Sequence, residues 1–110
     1  MKNIIIITGA SSGIGEEFAL QMDDYFSNVD EFWLIARRRE KLEELAGCLY
    51  HRTRILAMDI TKDAQLDRLE DTLMEHGGVV RMLVNCAGYG ILGDFASQHR
   101  AKAMGMIRKN

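Results

Sequence analysis

The sequence predicts an α/β fold, a doubly wound parallel sheet in three α/β/α layers, and two observations carry that prediction. Short apolar runs alternate with stretches of helical period through most of the 110 residues. That is the pattern of parallel strands buried on both faces by helices. Between the first apolar run and the first helical stretch lies a turn of glycine and small residues, Thr8 to Gly15.

Taken in order, Ile4-Ile5-Ile6-Ile7 is a continuous β-branched run and reads as a strand buried on both faces. Behind the glycine turn, Ile14, Phe18, Met22 and Phe26 recur at every fourth position and are assigned to the inward face of a first helix. Phe32-Trp33-Leu34-Ile35-Ala36 is the second strand. Leu42, Leu45, Ala46 and Leu49 form the stripe of a second helix, with Glu40, Lys41, Glu43 and Glu44 on its wet side. Ile55-Leu56-Ala57-Met58 is the third strand and ends at Asp59. Thr61 is the expected N-cap of a third helix that turns Leu66, Leu69 and Leu73 inward and stops at His76-Gly77-Gly78. Met82-Leu83-Val84 is the fourth strand and leads into Asn85-Cys86-Ala87-Gly88. A further helix is expected at roughly residues 98–109.

The chain is read as one domain, residues 1–110, truncated after the fourth strand and part of the next helix. Crossovers between parallel strands are right-handed in about 98% of cases, which leaves few topologies. Without an outer neighbour, Met82-Leu83-Val84 is expected to be an exposed apolar edge open to self-association.

Composition excludes several classes of function. At 47% hydrophobic and a formal charge of -2, from 14 basic and 16 acidic residues, the chain is too apolar and too nearly neutral to be disordered. It also lacks the cationic excess of a nucleic-acid binder. No apolar run approaches the roughly 20 residues of a spanning helix, and no signal-peptide core is present, so no membrane contact is expected. Cys48 and Cys86 form no CxxC pair and read as reduced thiols of a cytoplasmic protein. His51, His76 and His99 lie far apart, and Cys48-x2-His51 is only a partial ligand pair. Each histidine is therefore assigned to the surface or to a cap, and no metal is expected.

The glycine turn has a physical rationale at a strand-to-helix junction. One glycine permits a tight turn, one lets the backbone approach a pyrophosphate, and one lets helix and strand pack closely. The helix N-terminus then offers free N–H groups and a partial positive charge to phosphates.

Taken together, Thr8-Gly9-(x3)-Gly13-x-Gly15, Asp59 after the third strand and Asn85-Cys86-Ala87-Gly88 after the fourth resemble the short-chain dehydrogenase/reductase family. The likeness runs over essentially the whole chain, in the family's order, with the glycine spacing of its shorter, single-domain members. It implies a Rossmann-like fold, of which this chain is the N-terminal NAD(P)-binding part. It implies an oxidoreductase that passes hydride between nicotinamide and a small-molecule carbonyl or alcohol substrate. By the same resemblance, Gly9, Ser11, Ser12, Gly13, Ile14 and Gly15 line the pyrophosphate and the adenosine ribose. Asp59 and the backbone of Ile60 hold the adenine amino group. Asn85, Ala87 and Gly88 stabilise the sheet end and line the ribose nearer the nicotinamide. Where the family's second motif has paired asparagines, this chain has Cys86 second, a weak hydrogen-bonder read as a small filler.

The end of the second strand indicates which nicotinamide cofactor is used. An NAD site commonly places Asp or Glu there to accept from the ribose 2′-OH. Here Ala36 is followed by Arg37-Arg38-Arg39, and guanidinium groups suit a 2′-phosphate through paired, permanently charged hydrogen bonds. The expectation is NADP(H) over NAD(H), with Arg37 the leading contact and Arg38 the second.

Proton transfer is the missing half. The family uses a tyrosine in Tyr-x3-Lys with a serine and a helix asparagine, yet Tyr25, Tyr50 and Tyr89 are followed at that spacing by Val29, Arg54 and Gly93. Asn110 falls where the family's helix asparagine stands. With the serine, tyrosine and lysine absent, this chain alone is expected to be catalytically silent, the substrate being met in a full-length parent. Two other readings stand beside this one. The first is a non-catalytic, truncated nucleotide-binding module. The second is a methyltransferase, which expects an acidic residue where Ala36-Arg37 stands.

Overall fold

The computed structural model describes residues 2–86 together with the backbone of residues 91–94. In chain order these form β1 (Asn3–Thr8), α1 (Gly13–Tyr25), β2 (Glu31–Ala36), α2 (Arg39–Ala46), β3 (Arg52–Ala57), α3 (Asp63–His76), β4 (Val79–Asn85) and β5 (Ile91–Asp94). The sheet order is β3-β2-β1-β4-β5. β1 pairs parallel with β2 and β4, and β2 with β3, whereas β5 runs antiparallel to β4.

Strand alternation sorts the isoleucines of β1 into two cores. Ile4 and Ile6 join Trp33 and Ile35 beneath Leu66, Leu69 and Leu73 of α3. Ile5 and Ile7 join Phe32 and Leu34 beneath Ala19 and Met22 of α1 and Leu42 and Leu45 of α2. α1 and α2 therefore share one face and α3 covers the other, which is the doubly wound, three-layer arrangement the sequence predicts. Each such buried side chain stabilises by about 1.5–3 kcal/mol relative to exposure, so β1 anchors both cores at once.

Several details depart from the sequence reading. α1 turns Gly15, Ala19, Met22 and Asp23 inward, not Ile14, which is 68% exposed. Small residues win this face because α1 starts against the turn below it: a Cβ on Gly15 would overlap the Gly9 carbonyl oxygen. Phe18 and Phe26 are half-buried at the margin. Thr61 is not the cap of α3. Lys62 occupies that position without a side-chain cap bond, and the Thr61 hydroxyl donates to Asp59 instead. The far end of α3 is as expected, with Gly77 left-handed at φ +72° and its amide donating to the Leu73 carbonyl.

β4 is not an exposed edge, because β5 pairs with it from Met82 to Asn85. Ile-Leu-Gly-Asp is too short and too interrupted for its apolar pattern to register as a strand. The expected helix at roughly residues 98–109 lies outside the described residues. β2 and β3 also begin earlier than their apolar runs, at Glu31 and Arg52.

Two histidines expected at the surface or in a cap are drawn inward by carboxylates, His76 as the last residue of α3. His51 Nδ1 lies 2.7 Å from Asp23 Oδ1, and His76 Nε2 lies 3.0 Å from Glu31 Oε1. Asp23 also accepts from the amides of Tyr50 and His51. Glu31 accepts from Trp33 Nε1 at 3.0 Å and from Lys2 Nζ at 3.4 Å. Burial alone would raise both carboxyls, but these hydrogen bonds, with the neighbouring imidazoles and, for Glu31, the Lys2 ammonium, bring each below its ordinary value. His99 lies outside the described residues. No described helix is long and apolar enough to cross a membrane.

Candidate functional site

The parallel strands β1 to β4 share one C-terminal end, and the chain leaves β1 toward β2 on one side while β4 flanks it on the other. At such a switch point the connections diverge and a crevice opens above the strand tips. A cleft of about 410 Å³ lies there, walled by Gly9, Ser11 and Ser12 after β1, Ile35 to Arg38 at the end of β2, Met58 to Thr61 after β3, and Cys86 after β4.

The turn after β1 is held open by its own bonds rather than plugged by them. Gly9 takes φ +67°, a left-handed conformation natural to glycine. The Ser12 hydroxyl donates to the Gly9 carbonyl at 2.8 Å and accepts from the Gly15 amide at 3.0 Å. Ser12 is thereby the N-cap of α1. The Ala10 amide donates to the Ile35 carbonyl at 3.2 Å and ties the turn to β2. Gly15 is a packing glycine, but a Cβ on Gly13 would meet nothing within 4 Å. Among the described residues, the amides of Ser11, Gly13 and Ile14 donate to nothing. Three free donors at a helix N-terminus, beside open space where a Cβ is missing, fit an anionic diphosphate. Gly13 and Ile14 face a second hollow on α1, shared with Phe18, rather than the cleft wall itself.

Arg37 and Arg38 are exposed at the β2 end of the cleft, and among the described residues neither forms a salt bridge. Asp59 faces them from the β3 end. Its Oδ1 accepts from the Thr61 amide at 3.0 Å and the Thr61 hydroxyl at 2.6 Å, and its amide donates to Gln65 Oε1 at 2.6 Å. The two Thr61 hydrogen bonds, followed by the pull of Arg37 and Lys62, hold the Asp59 carboxyl below the usual aspartate value. The Ile60 backbone lies in the same wall.

Asn85 is buried below the cleft rather than in it, and accepts from the Thr8 hydroxyl at 2.7 Å. The neighbouring Cys86 amide donates to the Thr8 carbonyl at 3.0 Å, so β1 and β4 are joined at their tips. Cys86 itself is half-buried in the cleft wall, and burial pushes its thiol upward. Ala87, Gly88 and Asn110 lie outside the described residues. Thr61 and Gln65 were missed as site residues. An Asp followed two residues later by Thr is an Asx-turn signal that points to Thr61, whereas Gln65 reads as any polar residue in a helix's first turn.

Fold and cleft together define a doubly wound α/β protein with an anion-receptive crevice at its switch point. The short chain dehydrogenase family model matches residues 3–110, and the chain belongs to that family of oxidoreductases, which uses a nicotinamide cofactor, NAD or NADP. It is 37% identical over 91 residues to an 11-beta-hydroxysteroid dehydrogenase of Pinus massoniana, covering 79% of this chain and 25% of that protein. It is 34% identical over 96 residues to sulfoacetaldehyde reductase 2 of Chromohalobacter salexigens, covering 83% of this chain and 36% of that protein. The solved structure of a citronellol catabolism dehydrogenase of Pseudomonas aeruginosa superposes with a TM-score of 0.63 at 31% identity, over 76% of this chain and 35% of that one. The chain thus spans well under half the length of these relatives.

Proposed function

We propose that this chain is the NADP(H)-binding part of a reductase that moves hydride between nicotinamide and a carbonyl or alcohol substrate. The observation that carries the choice of NADP(H) is the pair Arg37 and Arg38, exposed in the cleft and free of salt bridges among the described residues. An acidic side chain there would favour a ribose 2′-OH; two unpaired guanidinium groups favour a 2′-phosphate.

Each wall then has a task. The amides of Ser11, Gly13 and Ile14 bind the diphosphate, and the left-handed Gly9 lets the backbone reach it. Arg37, with Arg38 beside it, binds the 2′-phosphate. Asp59 accepts from the adenine amine, with the Ile60 backbone alongside, and the Thr8–Asn85 bond stiffens the strand tips beneath. When bound, the nicotinamide supplies or accepts the hydride. No Tyr-x3-Lys occurs in the 110 residues, so the proton that must accompany that hydride has no matched donor in this sequence.

Calorimetric titration of the chain with NADPH and NADH tests the proposal. NADPH is expected to bind more tightly by about 10- to 100-fold, the size of a charge-assisted contact, and Arg37→Ala to remove most of the difference. Equal affinities, unaffected by Arg37→Ala, would exclude NADP(H) preference. Trp33 fluorescence is a poor reporter for this purpose, because Trp33 is fully buried against α3 and does not line the cleft.

A further inference from the structure

We infer that Gln65 is a positioning residue for the cleft: its side-chain carbonyl fixes the Asp59 backbone so that the Asp59 carboxylate meets an exocyclic amine. The inference rests on the reading of the cleft as a dinucleotide site and assigns a role to a residue outside its wall.

The Asp59 amide donates to Gln65 Oε1 at 2.6 Å, across six residues of sequence. A backbone N–H only donates, so the oxygen end of the Gln65 amide must face it. Gln65 stands on firm ground: its own amide donates to the Lys62 carbonyl at 3.1 Å, and the adjacent Leu66 is 1% exposed in the core beneath α3. Asp59 is tied on its carbonyl side, which accepts from the Lys62 amide at 3.2 Å, but its own amide has only Gln65 among the described residues. It sits past the end of β3, at the cleft surface, and its Oδ1 is engaged by Thr61. No described group bonds to Oδ2, which leaves that oxygen to a ligand. The linkage therefore runs from the buried Leu66, through Gln65, to the backbone that aims the carboxylate. Without the Gln65 acceptor, the Asp59 amide loses its partner, and although the Met58 amide and the Asp59 carbonyl stay bonded, the peptide between them can rotate and turn the carboxylate aside.

The test measures the affinity of the 110-residue chain for NADPH and for its 6-deamino analogue, which carries a carbonyl in place of the adenine amine. The wild type is expected to prefer NADPH by about tenfold, the worth of a hydrogen bond to a charged group. In Gln65→Leu, similar in bulk but without an acceptor, the preference should fall below about threefold while the deamino affinity stays within about twofold. Gln65→Glu keeps an acceptor at the same reach and should retain the preference. Equal weakening of both ligands in Gln65→Leu would mean general loosening and would overturn the inference. An undiminished preference in Gln65→Leu overturns it while leaving the dinucleotide reading intact. Wild-type binding with no preference removes the Asp59 role and this inference with it, and a wild type that binds neither ligand removes the dinucleotide reading itself.

Discussion

The two ends of the sheet treat their polar groups in opposite ways. At the N-terminal end, Glu31 and Asp23 are buried, and each carboxylate is surrounded by donors: Lys2, Trp33 and His76 around one, the Tyr50 and His51 amides and the His51 ring around the other. At the C-terminal end, the amides of Ser11, Gly13 and Ile14 in the turn and the guanidinium groups of Arg37 and Arg38 at the cleft have no bonded partner among the described residues. Buried carboxylates ringed by donors hold a fold together, even with His76 Nδ1 left unpaired beside them among the described residues, whereas donors left open at a strand tip await a ligand. Stability and recognition are thus placed at opposite ends of the same strands, and substitutions should separate them.

The largest separation is expected within the glycine turn itself. A Cβ at Gly15 overlaps the Gly9 carbonyl oxygen and comes within 3.0 Å of Ala10 Cα, whereas one at Gly13 meets open space. Gly15→Val should force α1 off the turn and cost about 3 kcal/mol or more, read as a lowered denaturation midpoint. Gly13→Ala should leave the midpoint unchanged or slightly raised, since alanine favours helix, yet weaken dinucleotide binding by crowding the free amides. If both variants lost stability equally, the division of labour between the two glycines would be wrong.

The N-terminal end gives the next effect. Asp23→Asn removes the charge from a side chain that is only 4% exposed and accepts three hydrogen bonds from the Tyr50–His51 segment, counting the ring. The expected loss is about 1.5–3 kcal/mol. Because Asp23 and Glu31 sit below their ordinary values in the folded chain, their contribution is full above the unfolded carboxylate range, near about pH 4. It is lost as pH falls through the folded values. Urea denaturation at neutral pH and at successively lower pH should therefore show falling stability, with a shallower fall in Asp23→Asn. Parallel curves for the two proteins would contradict this account.

What the sequence revealed follows the same division. The strands and the turn were legible because their signals are local: four consecutive isoleucines, a glycine spacing, three arginines past a strand. The polar end was not, because its logic spans long distances. Nothing near Glu31 announces that His76 will arrive beside it from the end of α3, so the sequence predicts a β2 that starts one residue later and a His76 at the surface or in a cap. The same holds within the site. Arg37 and Arg38 advertise themselves by charge, but Gln65 matters only once α3 folds back on Asp59. The expected Ile14 face failed for a related reason: periodicity counts apolar residues and is blind to the backbone approach that only glycine allows at Gly15.

The smallest effect concerns the cleft wall alone. Thr61→Val deletes the 2.6 Å hydroxyl bond to Asp59 Oδ1 but keeps the amide bond. Asp59 lies at the surface, so stability should barely change. Its carboxyl should nevertheless titrate higher than in the wild type, because the Thr61 hydroxyl is first among the influences that lower it. A carbon-13 NMR titration of the Asp59 carboxyl measures that change directly. The Arg37 pull remains in the variant, so the value should rise only part of the way toward ordinary aspartate. Adding Arg37→Ala should take it further, and this second step separates a hydrogen bond inside the wall from the field of the arginine across it. If Thr61→Val left the titration where it was while Arg37→Ala moved it, the field would dominate. The Asx turn would then shape the loop without tuning the charge it presents to the cleft.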